Sequence, residues 1–229
     1  FVANASHELR TPLTSIQGFA ETLAAGGLNE DTVDRCTETI LRNVIRMRNL
    51  IDDLMDISKI ENREDNAERT VVDIAHLSQE LVADQKKRLE SAELTAEIRP
   101  GSQANAWCNQ NAVTQVLENL LTNAIRYTDT GGHITISIEP ATDHLKVCVA
   151  DTGIGIPKDA LDRIFERFYR VDAARSRAVG STGLGLSIVK HLVQAMSGTI
   201  TVESEETVGS CFTLTLPLPL PDPLEPNSA

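Results

Sequence analysis

Val33, Thr37, Ile40, Val44, Met47, Ile51, Leu54 and Ser58 recur at alternating steps of four and three. That spacing is a heptad seam, and only a helix returns such positions to one side. A strand would divide them between two faces. The pattern predicts one long helix ending near Ile60. Upstream, Val2, Ala5, Leu9, Leu13, Ile16, Ala20 and Leu23 draw a second apolar stripe over residues 1–25. The connecting "GGLNED" (26–31) is a turn, with Asn29 placed to cap the helix ahead of Glu30 and Asp31. Two long amphipathic helices on so short a turn must fold back as an antiparallel hairpin. Leu50, Ile57 and Ile45 lie beside the seam, so a lone hairpin leaves apolar surface bare. Two hairpins packed as a four-helix bundle would bury it, which makes a homodimer the expected state of this segment.

The first helix carries "SHELRTPL" (6–13), a histidine, carboxylate, arginine and threonine followed by a proline. Helical phase turns His7 roughly 160° from the apolar stripe, and Thr11 is its i+4 neighbour on the same outer face. Pro12 removes one backbone N–H, so a bend just below His7 is expected.

After "ENREDNAERT" (61–70), which is polar, charged and aperiodic, the pattern changes. Asp73 can cap a helix over 74–90, and short strands are expected at 94–98 and 105–108. A helix covers about 110–126, and 133–139 and 144–151 alternate like the strands of a hairpin. "LDRIFERF" and "GLSIVKHLVQAM" read as helices, and "TITVES" and "SCFTLTLPL" as strands. Strand pairs interleaved with helices predict a two-layer α/β sandwich behind the hairpin, an α+β multidomain chain. The expected division is a hairpin over 1–63, a linker over 64–70, a second domain over 71–217 and a proline-rich, extended or disordered tail over 218–229.

Composition narrows the partners. A formal charge of −12, from 33 acidic and 21 basic residues, argues against a nucleic-acid surface, which needs a basic stripe. Aromatics are only 3%, so a stacking site must use one of very few rings. The four cysteines, Cys36, Cys108, Cys148 and Cys211, are scattered without metal-ligand spacing and read as free thiols in a reducing cytosol. No apolar run reaches the length of a membrane span. The chain starts with Phe1 already inside a helical pattern, so an upstream part is expected to be missing.

Four stretches of the second domain hold polar and glycine patterns that a plain core does not need. In "ENLLTNAIRYT" (118–128), Asn119 and Asn123 share a helix face with Arg126 one turn on, beside Tyr127. Their amide oxygens suit a hard cation such as Mg²⁺, although a solvated helix face gives the same pattern. In "DTGIGIP" (151–157), Asp151 ends a strand, and Gly153 and Gly155 permit a tight turn and close backbone approach. "IFERFYRVD" (164–172) is the third stretch. In the fourth, "GSTGLGLSIVKH" (180–191), Gly180, Gly183 and Gly185 lead into a helix N-terminus, a natural phosphate cradle. Neither a P-loop nor a Rossmann turn fits, since GK[ST] and the preceding strand are absent. The polar "VDAARSRAV" between Arg170 and Gly180 is a candidate lid.

Together, "FVANASHELRTPL", "ENLLTNAIRYT", "DTGIGIP", "FERFYRVD" and "GLGLSIVK" resemble the H, N, G1, F and G2 boxes of sensor histidine kinases, in family order and spacing. The resemblance extends from residue 1 to about 217, and the flank "LTSIQGFAETL" also resembles the phosphate-starvation sensor group. It implies that His7 is the phosphoacceptor, that Glu8 orients the ring and accepts its proton, and that Thr11 positions a water for dephosphorylating a partner. It implies ATP and Mg²⁺ as cofactors, with Asn123 on the metal, Asn119 near the phosphates, Arg126 on the phosphates and Tyr127 along the base. Asp151 would read the adenine amino group, beside Gly153 and Gly155. Arg170 would approach the γ-phosphate, and Gly183 and Gly185 would line the triphosphate. Asn109 stands where the family often has aspartate and receives no role.

The implied activity is autophosphorylation of His7 and transfer to an aspartate of a response regulator, with phosphatase activity toward that partner. The implied setting is a homodimer whose full-length form is membrane-anchored with this part cytoplasmic. An exposed histidine suits a nucleotide delivered by a separate domain, because neutral imidazole is the nucleophile and is the dominant form of an unperturbed ring at about pH 7.5. Two other readings stay open. A gyrase or mismatch-repair type ATPase would use Glu118 for hydrolysis, and a phosphotransfer or phosphatase module would make no phosphohistidine.

Overall fold

The computed structural model describes residues 2–61, 68–171 and 182–219. Most of the expected linker, Gly180 with the expected lid from residue 172 on, and the tail from residue 220 lie outside the described residues.

Helices α1 (Val2–Ala25) and α2 (Glu30–Glu61) form the antiparallel hairpin. Asn29 caps α2 as its position suggested, accepting from the Thr32 N–H at 2.9 Å. Helix α1 continues through Pro12, which is buried and leaves the Glu8 carbonyl without its i+4 donor. Part of the seam faces outward: Val33, Val44 and Ile51 are exposed, with Leu41, Ile45 and Met55 beside them, while Ile40, Met47 and Leu54 are half-buried and Leu54 packs on the core. Leu50 and Ile57 turn the other way and join the core of the second unit. The hairpin therefore has two apolar faces, one of them spent on its own chain.

Strand β1 (Thr70–Asp73) pairs antiparallel with β3 (Asn105–Cys108) in a separate two-stranded sheet. Between them run α3 (Ile74–Asp84), α4 (Lys86–Ser91) and β2 (Thr95–Pro100). Then follow α5 (Gln110–Tyr127), β4 (His133–Pro140), β5 (His144–Asp151), α6 (Gly185–Ala195), β6 (Thr199–Glu205) and β7 (Gly209–Pro217). The main sheet has the order β2-β4-β5-β7-β6, parallel only between β2 and β4. Alternation along its strands puts Ile134, Ile136, Ile138, Val147, Val149, Leu214 and Leu216 inward. They meet Val113, Val116, Leu117, Leu120 and Leu121 of α5 and Ile188, Val189, Leu192 and Val193 of α6. Each such burial contributes about 1.5–3 kcal/mol before entropy is counted, so this two-layer core fixes where α5 and the strand ends meet.

Four expectations change. The helix over 74–90, capped by Asp73 through the Ala75 and His76 N–H groups, is divided at Gln85 into α3 and α4. "LDRIFERF" is a run of turns rather than a helix, closed by i→i+3 bonds such as Arg163 N–H to the Ala160 carbonyl and Glu166 N–H to the Arg163 carbonyl. It ends at Phe168, whose φ of 65° cannot continue a helix and whose N–H bonds the Gly183 carbonyl at 2.8 Å. Strand β1 was not expected, because its partner lies more than thirty positions downstream. Finally, Cys148 and Cys211 are joined in a disulfide, so only Cys36 and Cys108 are free, and both are buried.

Candidate functional site

Elements of the second unit meet at one end of the main sheet around a cleft of about 570 Å³. Helix α5 supplies Gln115, Glu118, Asn119, Asn123, Arg126 and Tyr127. The end of β5 and the loop after it supply Asp151, Ile154 and Gly155, and β7 supplies Ser210 and Phe212. The turns up to residue 171 bring Tyr169 and Arg170, and the entry to α6 brings Thr182, Gly183 and Gly185. The cleft thus collects residues from all four stretches singled out in the second domain.

Asn109 has a local role that the sequence reading left out. It caps α5, accepting from the Ala112 N–H at 2.8 Å, and so anchors the helix that carries the two cleft asparagines. Asn119 donates to the Gln115 carbonyl at 3.0 Å, which leaves its Oδ1 facing Gly185. A Cβ at position 185 would come within 2.9 Å of that oxygen, so a side chain there would push the Asn119 amide aside. Gly183 has φ of 76° and packs on the Phe168 backbone, a conformation that disfavours any side chain. Gly153 lines the turn after Asp151 against the Tyr127 carbonyl, and its N–H donates to Asp151 Oδ1 at 2.9 Å. Gly155 has φ of 69° and lies against the Glu205 backbone.

Electrostatics in the cleft are set by partial burial. Desolvation pushes the Asp151 carboxyl up, offset in part by the Gly153 and Ser210 N–H groups. Desolvation also lowers Arg126, against the favourable pull of Tyr127 and Asp53. Arg170 is almost fully buried: its Nη2 donates to the Thr182 carbonyl at 2.9 Å and to Glu8 Oε2 at 2.8 Å. Its Nε is buried without a hydrogen-bond partner. An orphaned guanidinium N–H, the open backbone of Gly183 and Gly185 and a second arginine fit a triphosphate. The paired amides of Asn119 and Asn123 suit the oxygen-seeking cation that accompanies one.

The first helix completes the arrangement. His7 and Thr11 are exposed on one face, and the Thr11 hydroxyl donates to the His7 carbonyl at 3.3 Å. Glu8 points inward instead, its Oε2 shared between Arg46 of α2 at 3.0 Å and Arg170 at 2.8 Å. Helix α2 also enters the cleft, with Asn49 and Asp53 in its lining. Asp53 Oδ2 accepts from the Thr182 hydroxyl at 2.6 Å, and Asp56 accepts from the Gln115 amide. Burial, then the neighbouring Asp56 and Asp52, push the Asp53 carboxyl up to about 6, despite Thr182 and Arg126. Sequence reasoning missed Arg46, Asn49, Asp53 and Thr182. Arg46, Asn49 and Asp53 look like solvated heptad flanks within the hairpin, Thr182 like one more residue of a glycine-rich loop, and nothing local marks their partners.

Comparison with known proteins covers both halves of the chain. Residues 1–63 match the His Kinase A (phospho-acceptor) domain. Residues 108–220 match the histidine kinase-, DNA gyrase B- and HSP90-like ATPase domain. The sensor histidine kinase WalK of Bacillus subtilis is 39% identical over 95% of this chain and 36% of its own length. The structure of the Acinetobacter baumannii histidine kinase AdeS is 28% identical, with a TM-score of 0.76 over 93% of this chain and 98% of that one. Full-length ShkA, in complex with AMPPNP, is 26% identical with a TM-score of 0.70, over 94% of this chain and 45% of that one. The chain thus spans little more than a third of the WalK relative.

Proposed function

The chain belongs to the sensor histidine kinases of two-component systems, and from that membership we propose that it phosphorylates its own His7 with ATP and passes the phosphoryl group to an aspartate of a response regulator. One observation carries the reading. The cleft that fits a triphosphate is tied directly, through Arg170, to the residue next to an exposed histidine.

The chemistry assigns each group a task. A neutral His7 imidazole offers a ring-nitrogen lone pair to the γ-phosphorus, and the bond to the ADP oxygen breaks as the N–P bond forms. Glu8 accepts the proton of the other ring nitrogen, for which it must first leave Arg170. Arg170, freed from Glu8, turns its buried Nε and Nη2 toward the γ-phosphate, with Arg126 on the same anion. A Mg²⁺ ion on the Asn123 amide, with Asn119 near the phosphates, would offset charge on the transferred group. Asp151 accepts from the adenine amine beside Gly153 and Gly155, Tyr127 lies along the base, and Gly183 and Gly185 line the triphosphate.

The outward seam of Val33, Val44 and Ile51 supports a homodimer through a four-helix bundle. Residues 1–63 then act as the phosphoacceptor unit, 64–70 as linker, 71–217 as the ATP-binding unit and 218–229 as tail. Among the described residues no helix is long and apolar enough to cross a membrane. A membrane anchor would therefore belong to other parts of a full-length protein, with this portion on the cytoplasmic side.

Glu118 lines the cleft on α5, which favours ATP hydrolysis as the second reading. Incubation with γ-labelled ATP and Mg²⁺ separates the two. Acid-labile, base-stable label on wild type and none on His7→Gln, with nucleotide affinity retained, is the expected result. Free phosphate with unlabelled protein would replace the kinase with an ATPase.

A further inference from the structure

Cys148 and Cys211 stand apart from the other two cysteines. Cys36 and Cys108 are buried and unpaired, and burial pushes the Cys108 thiol up to about 11, which keeps it protonated and inert. Cys148 and Cys211 are only half-buried and lie on the face of the main sheet opposite α5 and α6. In the β5–β7 ladder Cys148 stands opposite Thr213 and Cys211 opposite Ala150, so the two are diagonal neighbours with Cα atoms 6.4 Å apart. That separation lies inside the range a disulfide spans without moving the backbone.

Their position relative to the cleft gives the bond a consequence. Cys211 is flanked by Ser210 and Phe212, which line the cleft from the inner face. Cys148 precedes Asp151 by three residues on the strand paired with it. The ladder continues from His144↔Pro217 to Asp151↔Ser210 on backbone hydrogen bonds, so the strands stay paired with or without the sulfur link.

We propose that Cys148 and Cys211 form a reversible redox modification site that braces the strand pair beneath the nucleotide cleft. The oxidant is of the peroxide class. One thiolate attacks a peroxide oxygen, giving a sulfenic acid and one water once protons are counted. The second thiol displaces that hydroxyl as a second water, forming the S–S bond. Two thiols and one hydrogen peroxide thus yield one disulfide and two waters. A small dithiol returns the two electrons and two protons by exchange at the half-exposed sulfurs.

The test uses the 229-residue chain, reduced with a dithiol, freed of reductant and then treated with hydrogen peroxide. Thiol titration in denaturant should fall from four to two per chain, with a linked 148–211 peptide pair by mass spectrometry and no covalent dimer. Native dithiol treatment should restore all four. The bond closes a loop of 63 positions, so the oxidised form should melt on the order of 10 °C higher. Cys148→Ser and Cys211→Ser should each abolish both the linked pair and the peroxide-induced melting shift. Four thiols persisting after peroxide, pairing through Cys36 or Cys108, or a bond that native dithiol cannot open would overturn the proposal. Equal melting of the two forms would overturn the bracing role. None of these readouts depends on kinase activity, so they stand or fall apart from the function proposed above.

Discussion

Arg170 and Glu8 form an ion pair 162 positions apart in the chain, Nη2 to Oε2 at 2.8 Å, with Arg46 on the same carboxylate oxygen at 3.0 Å. The pair joins the cleft arginine to the neighbour of the exposed histidine. While it holds, Glu8 is committed to two arginines, and one of the cleft's cations is committed to the hairpin. Both side chains are largely shielded from water, so the pair is screened little by salt.

The ion pair should therefore control how firmly the hairpin docks. A double-mutant cycle of Glu8→Gln and Arg170→Met should give a coupling of about 1–3 kcal/mol in the docking equilibrium. Each single substitution leaves charge unbalanced, so each should open the chain more than the double does. Distance distributions between spin labels on α1 and β6 measure this. Additive effects of the two substitutions would mean that the contact carries no docking energy.

Asp53 should make docking depend on pH. Inside the cleft its carboxyl is pushed up to about 6, mainly by burial, and once released it returns toward its ordinary 3.8. Between those values the docked arrangement binds more protons than the open one. Docking is then at full strength below the lower value and is lost as pH rises through the upper one, by roughly 3 kcal/mol in all. Asp53→Asn, neutral throughout and still able to meet Thr182, should flatten the profile. The same spin labels, read from about pH 4 to 8, check it. A mutant that keeps the wild-type profile would assign the titration to another group.

These contacts mark where sequence reasoning stops. Periodicity and caps are local signals, so α1, α2, α5 and α6 were legible, as were the Asn29 and Asp73 caps. Each family box is contiguous, so it marked the second unit's own cleft residues, such as Asn119, Asn123, Asp151 and Arg170. Partners far apart leave no such trace: Asp53 meets Thr182 across 129 positions, and β1 is a strand only because β3 accepts it. "LDRIFERF" has helical spacing in its apolar residues, yet Phe168 must adopt φ of 65° to meet Gly183, and turns prevail. The heptad seam was read correctly as a stripe. That Leu50 and Ile57 beside it would be buried by the chain's own second unit was not written in the period.

Asp151→Asn should weaken adenine recognition selectively. The amide oxygen can keep the bond from the Gly153 N–H, but an NH₂ replaces the second carboxylate oxygen and meets the adenine amine as donor against donor. ATP affinity should fall by about 10- to 100-fold, and GTP affinity by much less. Competition against a fluorescent nucleotide measures both. An unchanged ATP-to-GTP ratio would remove Asp151 from base recognition.

Thr11→Ala should separate two activities. Thr11 lies one turn after His7 on the exposed face, where an aspartyl phosphate of a docked response regulator could reach it. Its hydroxyl donates back to the His7 carbonyl at 3.3 Å, which leaves the oxygen's lone pairs facing solvent and able to orient a water. Losing that contact should slow partner dephosphorylation by about tenfold to a thousandfold, roughly 1.4–4 kcal/mol of barrier. Autophosphorylation should change far less, because Thr11 carries no charge and is absent from the cleft lining. The helix should not weaken either: alanine has the better propensity at an exposed site, and back-bonding of a threonine hydroxyl adds little. Decay of a phosphorylated response regulator, measured beside initial autokinase rates, decides the matter. A parallel fall in both would make Thr11 a structural residue of α1 rather than the one that places the water.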